Sequence, residues 1–208
     1  MMTLKPIAYF IFLFSVCTWD NADAISARNY TAKLTVSNGG SYGKWANAEF
    51  CAEGTYAYGY DMKIEVKHGS GGDDTSLNAI KILCKSLNGD CVGAVSSERS
   101  AWGKWVGETK CDGSDVLVAF SLQVEENQGN SDDSAANFIK FECRSFGASI
   151  DQTYELAKEP GYGHYGTYGD FSGDCSSNSA ICGIITKLEE PINGDDSALN
   201  DVEFYCCT

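Results

Sequence analysis

Apolar and polar residues alternate along several stretches of this 208-residue chain, which predicts β-strands. Residues 60–66 place apolar side chains at every second position, the period of a strand with one buried face. The same alternation recurs at 120–124 and in three segments that end in cysteine, 80–84, 139–143 and 202–206. No stretch has apolar residues at the three-and-four spacing of an amphipathic helix. The pattern therefore predicts an all-β protein.

One pattern is written three times, each time with an Asp pair, an Asn and a closing Cys. The copies are GGDDTSLNAIKILC from Gly71, NSDDSAANFIKFEC from Asn130 and NGDDSALNDVEFYC from Asn193. Each copy follows a glycine between aromatic residues (YGKW, WGKW or YGTY) and then a cysteine, which gives repeats at about 38–86, 98–145 and 161–207. Three such units predict three small sheets around a pseudo-threefold axis, each with one face buried against the others.

The N-terminal residues have the pattern of a secretory signal peptide. Lys5 precedes an apolar run from Ile7 to Cys17, and the small residues Ala22 and Ala24 follow it. A membrane anchor is the alternative interpretation, but the run is shorter than a bilayer-spanning helix. We therefore expect residues 1–24 to be removed and residues 25–208 to form a single secreted, extracellular domain.

Secretion favours disulfide bonds among the cysteines that follow the predicted signal peptide. The chain has ten cysteines and Cys17 lies in the signal peptide, so nine remain. Because equivalent positions of the repeats should pair equivalently, the predicted bonds are Cys51–Cys84, Cys111–Cys143 and Cys175–Cys206, with Cys182–Cys207 as a fourth in the third repeat. Cys91 is then unpaired in the chain, as a free thiol or as a link to another molecule. No C-x-x-C pair is present and there are only two histidines, so neither a metal site nor another cofactor is expected.

The net charge excludes two classes of partner, and one short motif predicts a glycan. The formal net charge is −14 at pH 7, so nucleic acids and anionic membranes are not expected to bind. A single N-x-[ST] sequon predicts an N-linked glycan on Asn29, in a polar stretch near the mature N-terminus.

Several of these motifs together resemble the vitelline membrane outer layer protein I family. They are WGKW, DDSAAN with its downstream Cys, and ICGIITKLEEP followed by DDSALNDVEFYCC. The likeness covers essentially the whole mature chain, with all three repeats in order. It implies a type I β-prism of three Greek-key sheets, the architecture of jacalin-like lectins, and a secreted protein of the outer egg coat. It also implies a transferase activity that lengthens chito-oligosaccharides, and hence a site for N-acetylglucosamine oligomers.

Repeated carboxylates are the candidate catalytic residues. Two carboxylates that flank a glycosidic bond can act as an acid and as a base or nucleophile. The structural interpretation is that Asp before a strand accepts backbone N–H groups and fixes a turn, and triplication favours it. The candidates are Glu65, Glu125 and Glu189, with the Asp pairs that begin at Asp73, Asp132 and Asp195.

Aromatic residues beside the repeated glycines are the candidate carbohydrate-binding residues. Their rings can stack on sugar faces, or they can close the ends of the prism, with glycine allowing a close approach of the backbone. These residues are Trp45, Trp102, Trp105, Tyr165 and Tyr168.

Two functions are consistent with these patterns. The favoured one is a structural and binding protein of an extracellular coat, with coat proteins and N-acetylglucosamine oligosaccharides as candidate partners. Its support is that the scaffold features are triplicated while no singular catalytic set is present. The alternative is a glycosyltransferase that acts on chito-oligosaccharides through its paired carboxylates.

Overall fold

The computed structural model describes residues 27–65, 76–125, 135–189 and 198–208. The predicted signal peptide, residues 1–24, lies outside these ranges. The described residues form β-strands and no helix, so none of them offers a helix long and apolar enough to cross a membrane. The strands are β1 Ala32–Leu34, β2 Lys44–Trp45, β3 Glu49–Phe50, β4 Thr55–Ile64, β5 Leu77–Ser86, β6 Cys91–Val95, β7 Lys104–Trp105, β8 Thr109–Lys110, β9 Val116–Val124, β10 Ala136–Arg144, β11 Tyr154–Leu156, β12 Thr167–Tyr168, β13 Ala180–Leu188 and β14 Leu199–Cys207.

The strands form three antiparallel sheets, each built on one long hairpin. The first sheet has the order β6-β5-β4-β7, with β8 also on β4, and the second has the order β11-β10-β9-β12. In both, the fourth strand along the chain returns to lie beside the first, which is the Greek-key order. The third sheet, β1-β14-β13-β2 with β3 on β13, repeats this order with strands from the N-terminal part of the chain. The predicted three Greek-key sheets are therefore confirmed.

The sheets do not coincide with the sequence repeats. The aromatic-glycine-aromatic segment that opens each repeat pairs with the hairpin of another repeat: β7 with β4, β12 with β9, and β2 with β13. Each sheet therefore combines the hairpin of one repeat with the opening segment of the next, and the third repeat is completed by the first. Alternation in the sequence predicts strands, but it does not indicate which hairpin edge a strand will pair with.

The repeated disulfides consequently join neighbouring sheets. Cys51 lies beside the third sheet, where its N–H donates to Cys182 O at 2.8 Å, and its partner Cys84 lies in β5 of the first sheet. The second and third repeats place Cys111 beside Tyr58 and Cys175 beside Val118 in the same way. All four predicted bonds are present: Cys51–Cys84, Cys111–Cys143, Cys175–Cys206 and Cys182–Cys207.

One prediction about the cysteines is wrong for this chain. Cys91 is disulfide-bonded, and none of the cysteines among the described residues is free. Its bond is not one of the four predicted ones, so the odd number of cysteines after residue 24 did not indicate its state.

The core lies where the three sheets face one another, with β4, β9 and β13 in mutual contact. Phe204 packs its ring centroid 4.8 Å from that of Phe120 and 5.2 Å from that of Phe141. Tyr60 completes this aromatic cluster, and its hydroxyl accepts the Lys158 N–H at 2.8 Å. These four side chains are fully buried, so one apolar core holds all three sheets together.

Each long hairpin contains two β-bulges at equivalent positions. The inserted residues are Tyr58, Val118 and Cys182 on the first strand of each hairpin, and Asn78, Asn137 and Asn200 on the second. A bulge bends its strand and turns one side chain out of register. In the third sheet this residue is Cys182, whose bond to Cys207 has no counterpart in the other repeats.

Candidate functional site

The candidate residues that the structure describes lie at one end of the prism, which we call the turn end. There the first strands of the three hairpins finish at Ile64, Val124 and Leu188, and a glutamate follows each of them. The N–H groups of Glu65, Glu125 and Glu189 each donate to a carbonyl across the hairpin at 2.8 Å, those of Ser76, Ala135 and Ala198. The three glutamates therefore occupy equivalent, half-buried positions.

The repeated glycines bring the aromatic turns against these strand ends. Gly43, Gly103 and Gly166 have φ angles of 82°, 76° and 72°, which side-chain-bearing residues rarely adopt. A Cβ atom on Gly103 would lie 2.6 Å from the carbonyl carbon of Ile64 and 2.8 Å from the nitrogen of Glu65. Gly43 meets Glu189 and Gly166 meets Glu125 in the same way. Each glutamate is therefore adjacent to the aromatic turn of another repeat.

The buried asparagines of the second bulges hold these turns in place. The Nδ2 groups of Asn78, Asn137 and Asn200 each donate to the carbonyl two residues earlier, on a residue with a positive φ. The Oδ1 atom of Asn200 accepts the N–H of Tyr42 at 3.2 Å, and that of Asn137 accepts the N–H of Tyr165 at 3.1 Å. The repeated Asn is therefore a structural residue that joins one repeat to the next turn.

A polar side chain on the first strand of each hairpin donates hydrogen bonds to backbone carbonyls of the segment that contains or precedes the aromatic turn. Lys63 Nζ donates to Ser100 O and Ala101 O, both at 2.8 Å, and Lys187 Nζ donates to Gly40 O and Ser41 O at 3.1 and 2.9 Å. Gln123 makes the equivalent contacts in the second sheet. These residues were not predicted from the sequence, although each is the polar partner of a turn aromatic across the ladder.

The aromatic residues differ in exposure. Trp45 is 41% exposed and Trp102 is 50% exposed, whereas Trp105, Tyr165 and Tyr168 are half-buried. The Tyr168 hydroxyl donates to Gly161 O at 3.0 Å, and burial raises its pKa. The half-buried rings help to close the turn end, while Trp45 and Trp102 present surface to solvent, so each of the two interpretations fits part of the set.

Lysines cover two of the turn aromatics. Lys81 Nζ lies 4.6 Å from the ring centroid of Trp105, and Lys140 Nζ lies 4.6 Å from that of Tyr168. Both contacts are in the range of cation–π interactions. The equivalent position of the third sheet is Glu203, so this cover is absent over Trp45 among the described residues.

Only some of the candidate carboxylates are among the described residues. The Asp pairs that begin at Asp73, Asp132 and Asp195 lie outside the described residues. A carboxyl that was not predicted, Asp201, lies on β14, and burial raises its pKa to about 6. The sequence signal was weak, because the equivalent positions of the other repeats are Ala79 and Phe138.

Comparison with known proteins places these features in a family. The family model described as vitelline membrane outer layer protein I matches residues 32–208. The vitelline membrane outer layer protein 1 homolog of Homo sapiens is 39% identical over 182 residues, covering 86% of this chain and 84% of that protein. The homolog of Mus musculus is 36% identical over 180 residues, with the same coverage.

Solved structures share the fold at low sequence identity. The mannose-binding lectin from Champedak has a TM-score of 0.52 at 13% identity and covers 88% of this chain and 100% of its own. Single-chain recombinant jacalin has a TM-score of 0.51 at 15% identity and covers 88% of this chain and 98% of its own. The fold is therefore the β-prism of jacalin-like lectins.

Proposed function

Because this chain belongs to the vitelline membrane outer layer protein I family, we propose that it is a secreted, carbohydrate-binding structural protein of an extracellular coat. N-Acetylglucosamine oligosaccharides are the proposed ligands, and other coat proteins and glycans are its partners. The observation that carries this proposal is the pair of solvent-exposed tryptophans, Trp45 and Trp102, on closely packed glycine turns at one end of a disulfide-linked prism.

Rigid, exposed aromatic rings suit the recognition of sugars. The C–H face of a pyranose ring is apolar and packs on an aromatic face, while neighbouring polar groups bind its hydroxyls. The close glycine contacts and the hydrogen bonds from Asn, Lys and Gln side chains fix each turn, so little conformational entropy is lost when a ligand binds. The mannose-binding and mannose-complexed lectins of this fold support the choice of a carbohydrate ligand.

Secretion is proposed on separate grounds. Four disulfides are present among the described residues, which favours an oxidising compartment. Residues 1–24 are the proposed signal peptide, and residues 25–208 the mature domain. Asn29, the proposed glycosylation site, is exposed. The Thr31 hydroxyl of the same sequon donates a hydrogen bond to Cys206 O at 3.1 Å, away from the turn end.

A panel of immobilised glycans tests the binding function. Oxidised mature protein should bind neutral N-acetylglucosamine oligomers more tightly than sulfated or sialylated glycans, because the acidic surface repels anions. Mannose oligomers belong on the panel as the comparison suggested by the related fold. Absence of binding to every glycan would contradict the proposal.

The alternative function, a chito-oligosaccharide glycosyltransferase, is favoured by the glutamate beside each aromatic turn. Incubation with the N-acetylglucosamine tetramer, followed by mass spectrometry, separates the two functions. Binding without turnover leaves the tetramer unchanged. A ladder of longer and shorter oligomers that disappears in Glu125→Gln would instead show that the protein is an enzyme.

A further inference from the structure

The three sheets differ in one respect on their outer faces. In each sheet the second aromatic of the turn faces a polar residue of the hairpin: Trp105 faces Lys63, Tyr168 faces Gln123, and Trp45 faces Lys187. Directly opposed residues of antiparallel strands share a face, so each ring lies on the outer surface of its sheet. The pseudo-threefold repeat thus presents three comparable rings.

A lysine ammonium group already lies over two of these rings. Lys81 reaches from β5 across β4 to Trp105, and Lys140 reaches from β10 across β9 to Tyr168. Each lysine is the third residue after the buried asparagine of its repeat. A ligand that stacked on these rings would have to displace the ammonium group.

The third sheet reverses the charge at this position. Glu203 is the third residue after Asn200, and its Oε2 lies 2.8 Å from Lys33 Nζ. Lys33 is on β1, and the strand order β1-β14-β13-β2 places it on the side of β14 away from Trp45. The ion pair therefore draws Glu203 away from the ring, and Trp45 remains 41% exposed.

Carboxylates lie on the same face of this sheet. Asp201 pairs with Lys187, which pairs in turn with Trp45, so the three residues form a row across the strands. The backbone at Gly39 lies directly over the Asp201 carboxyl, so the carboxylate of this face that a ligand can reach is that of the half-buried Glu203. Carboxylates accept hydrogen bonds from hydroxyl and N-acetyl N–H groups, whereas they repel sulfate and carboxylate substituents.

We infer that the outer face of the third sheet, with Trp45 as the stacking platform and Glu203 on the same face, is the glycan-binding surface of this protein, and that it takes neutral N-acetylhexosamine oligomers. This inference rests on the proposed carbohydrate-binding function. It predicts one principal site instead of three equivalent ones, because lysines cover the other two rings.

Calorimetric titration with the N-acetylglucosamine tetramer tests the assignment. Trp45→Ala is expected to weaken binding by about tenfold or more, through loss of the stacked aromatic surface. Trp105→Ala is the matched control, because its ring occupies the equivalent place under Lys81, and it should bind as the unaltered protein does.

A charge change tests the same surface while keeping Trp45. Glu203→Lys introduces the lysine that covers the other two rings and should weaken binding. The double change Lys33→Glu with Glu203→Lys restores the ion pair in reverse, which draws the new lysine back toward β1 and should recover the affinity. Thermal unfolding of each variant shows whether it is folded.

The outcomes separate this inference from the proposed function. If the unaltered protein binds the tetramer and both Trp45→Ala and Glu203→Lys bind it equally well, the third-sheet assignment is wrong, while the carbohydrate-binding function stands. If the unaltered protein binds neither the tetramer nor any glycan of the panel, both are wrong.

Discussion

Single glycines determine whether the aromatic turns can form. Gly103 combines a positive φ of 76° with a backbone neighbour 2.6 Å from where its Cβ would lie. Gly54 has a similar φ of 73° but open space around the same position. The two residues therefore separate conformational strain from a steric collision.

We expect Gly103→Ala to lower the free energy of unfolding by about 3 kcal/mol, because strain and collision both act. Gly54→Ala is the matched control and should cost about 1 kcal/mol, from strain alone. Denaturant unfolding of both variants measures the difference. Equal losses would show that the close approach at Ile64 does not constrain the turn.

Asp201 couples stability to pH through its burial. Its folded-state pKa is about 6, above the ordinary value of 3.8, since desolvation outweighs the hydrogen bond from the Val202 N–H and the attraction of Lys187. The folded protein thus holds this proton more tightly than the unfolded chain does. Stability is expected to fall as pH rises from about 4 to about 6, and to stay reduced above that range.

Asp201→Asn should remove this loss. At pH 7 the variant is expected to be more stable than the unaltered protein by about 1 kcal/mol, a value reduced for the partial solvation of the carboxyl. At pH 4 the two proteins should be alike. Unfolding free energies measured across this range test the prediction, with exposed Asp90→Asn as the control. A difference that does not depend on pH would contradict it.

The turn that follows the first cysteine of each repeat accepts hydrogen bonds from a cationic side chain. Lys85 Nζ donates to Gly113 O, and Arg144 Nη2 donates to Cys175 O and Ser176 O. Both cations follow the closing cysteine of a repeat, but the third repeat has Cys207 at that place. There Arg28, from the segment before β1, supplies the cation instead.

Arg28→Met should therefore destabilise the junction of the first and third sheets. Arg28 Nη1 donates to Thr55 O at 2.7 Å and to Ala52 O at 3.1 Å, and the loss of these bonds is expected to cost about 1–2 kcal/mol. Arg99→Met, a change at an exposed arginine, is the control for loss of one positive charge. A similar effect of both changes on the unfolding midpoint would show that Arg28 acts only through net charge.

The sequence predicted local features of these elements better than their partners. Alternation located the long strands because their burial repeats every second residue, and repetition identified the disulfide pairs because equivalent positions bond alike. The pairing of Trp105 with Lys63, in another repeat, is non-local and left no trace in the alternation. Lys81 and Glu203 occupy equivalent positions of two repeats. The sequence shows that their charges differ, but only the strand register shows that this position lies on the same face as a turn aromatic.

The whole molecule is a ring of three sheets closed by both covalent and apolar contacts. Three equivalent disulfides each link neighbouring sheets, and the cluster around Phe204 fills the space between them. Each such disulfide closes a loop of the chain, and in the chain-entropy model this cross-link stabilises the fold by about 3–4 kcal/mol. A scaffold of this rigidity holds the turn end and the third sheet in fixed relation, as a binding surface requires.

The most direct test of this account is a titration of ¹⁵N-labelled, oxidised mature protein with the N-acetylglucosamine tetramer, followed by NMR. The indole N–H signals of Trp45, Trp102 and Trp105 report on the candidate rings separately. The account predicts saturable shifts of the Trp45 indole and of backbone signals around Glu203, with the Trp105 indole unaffected. An unchanged spectrum at high tetramer concentration, or shifts confined to the segments around Cys84 and Cys143, would contradict it.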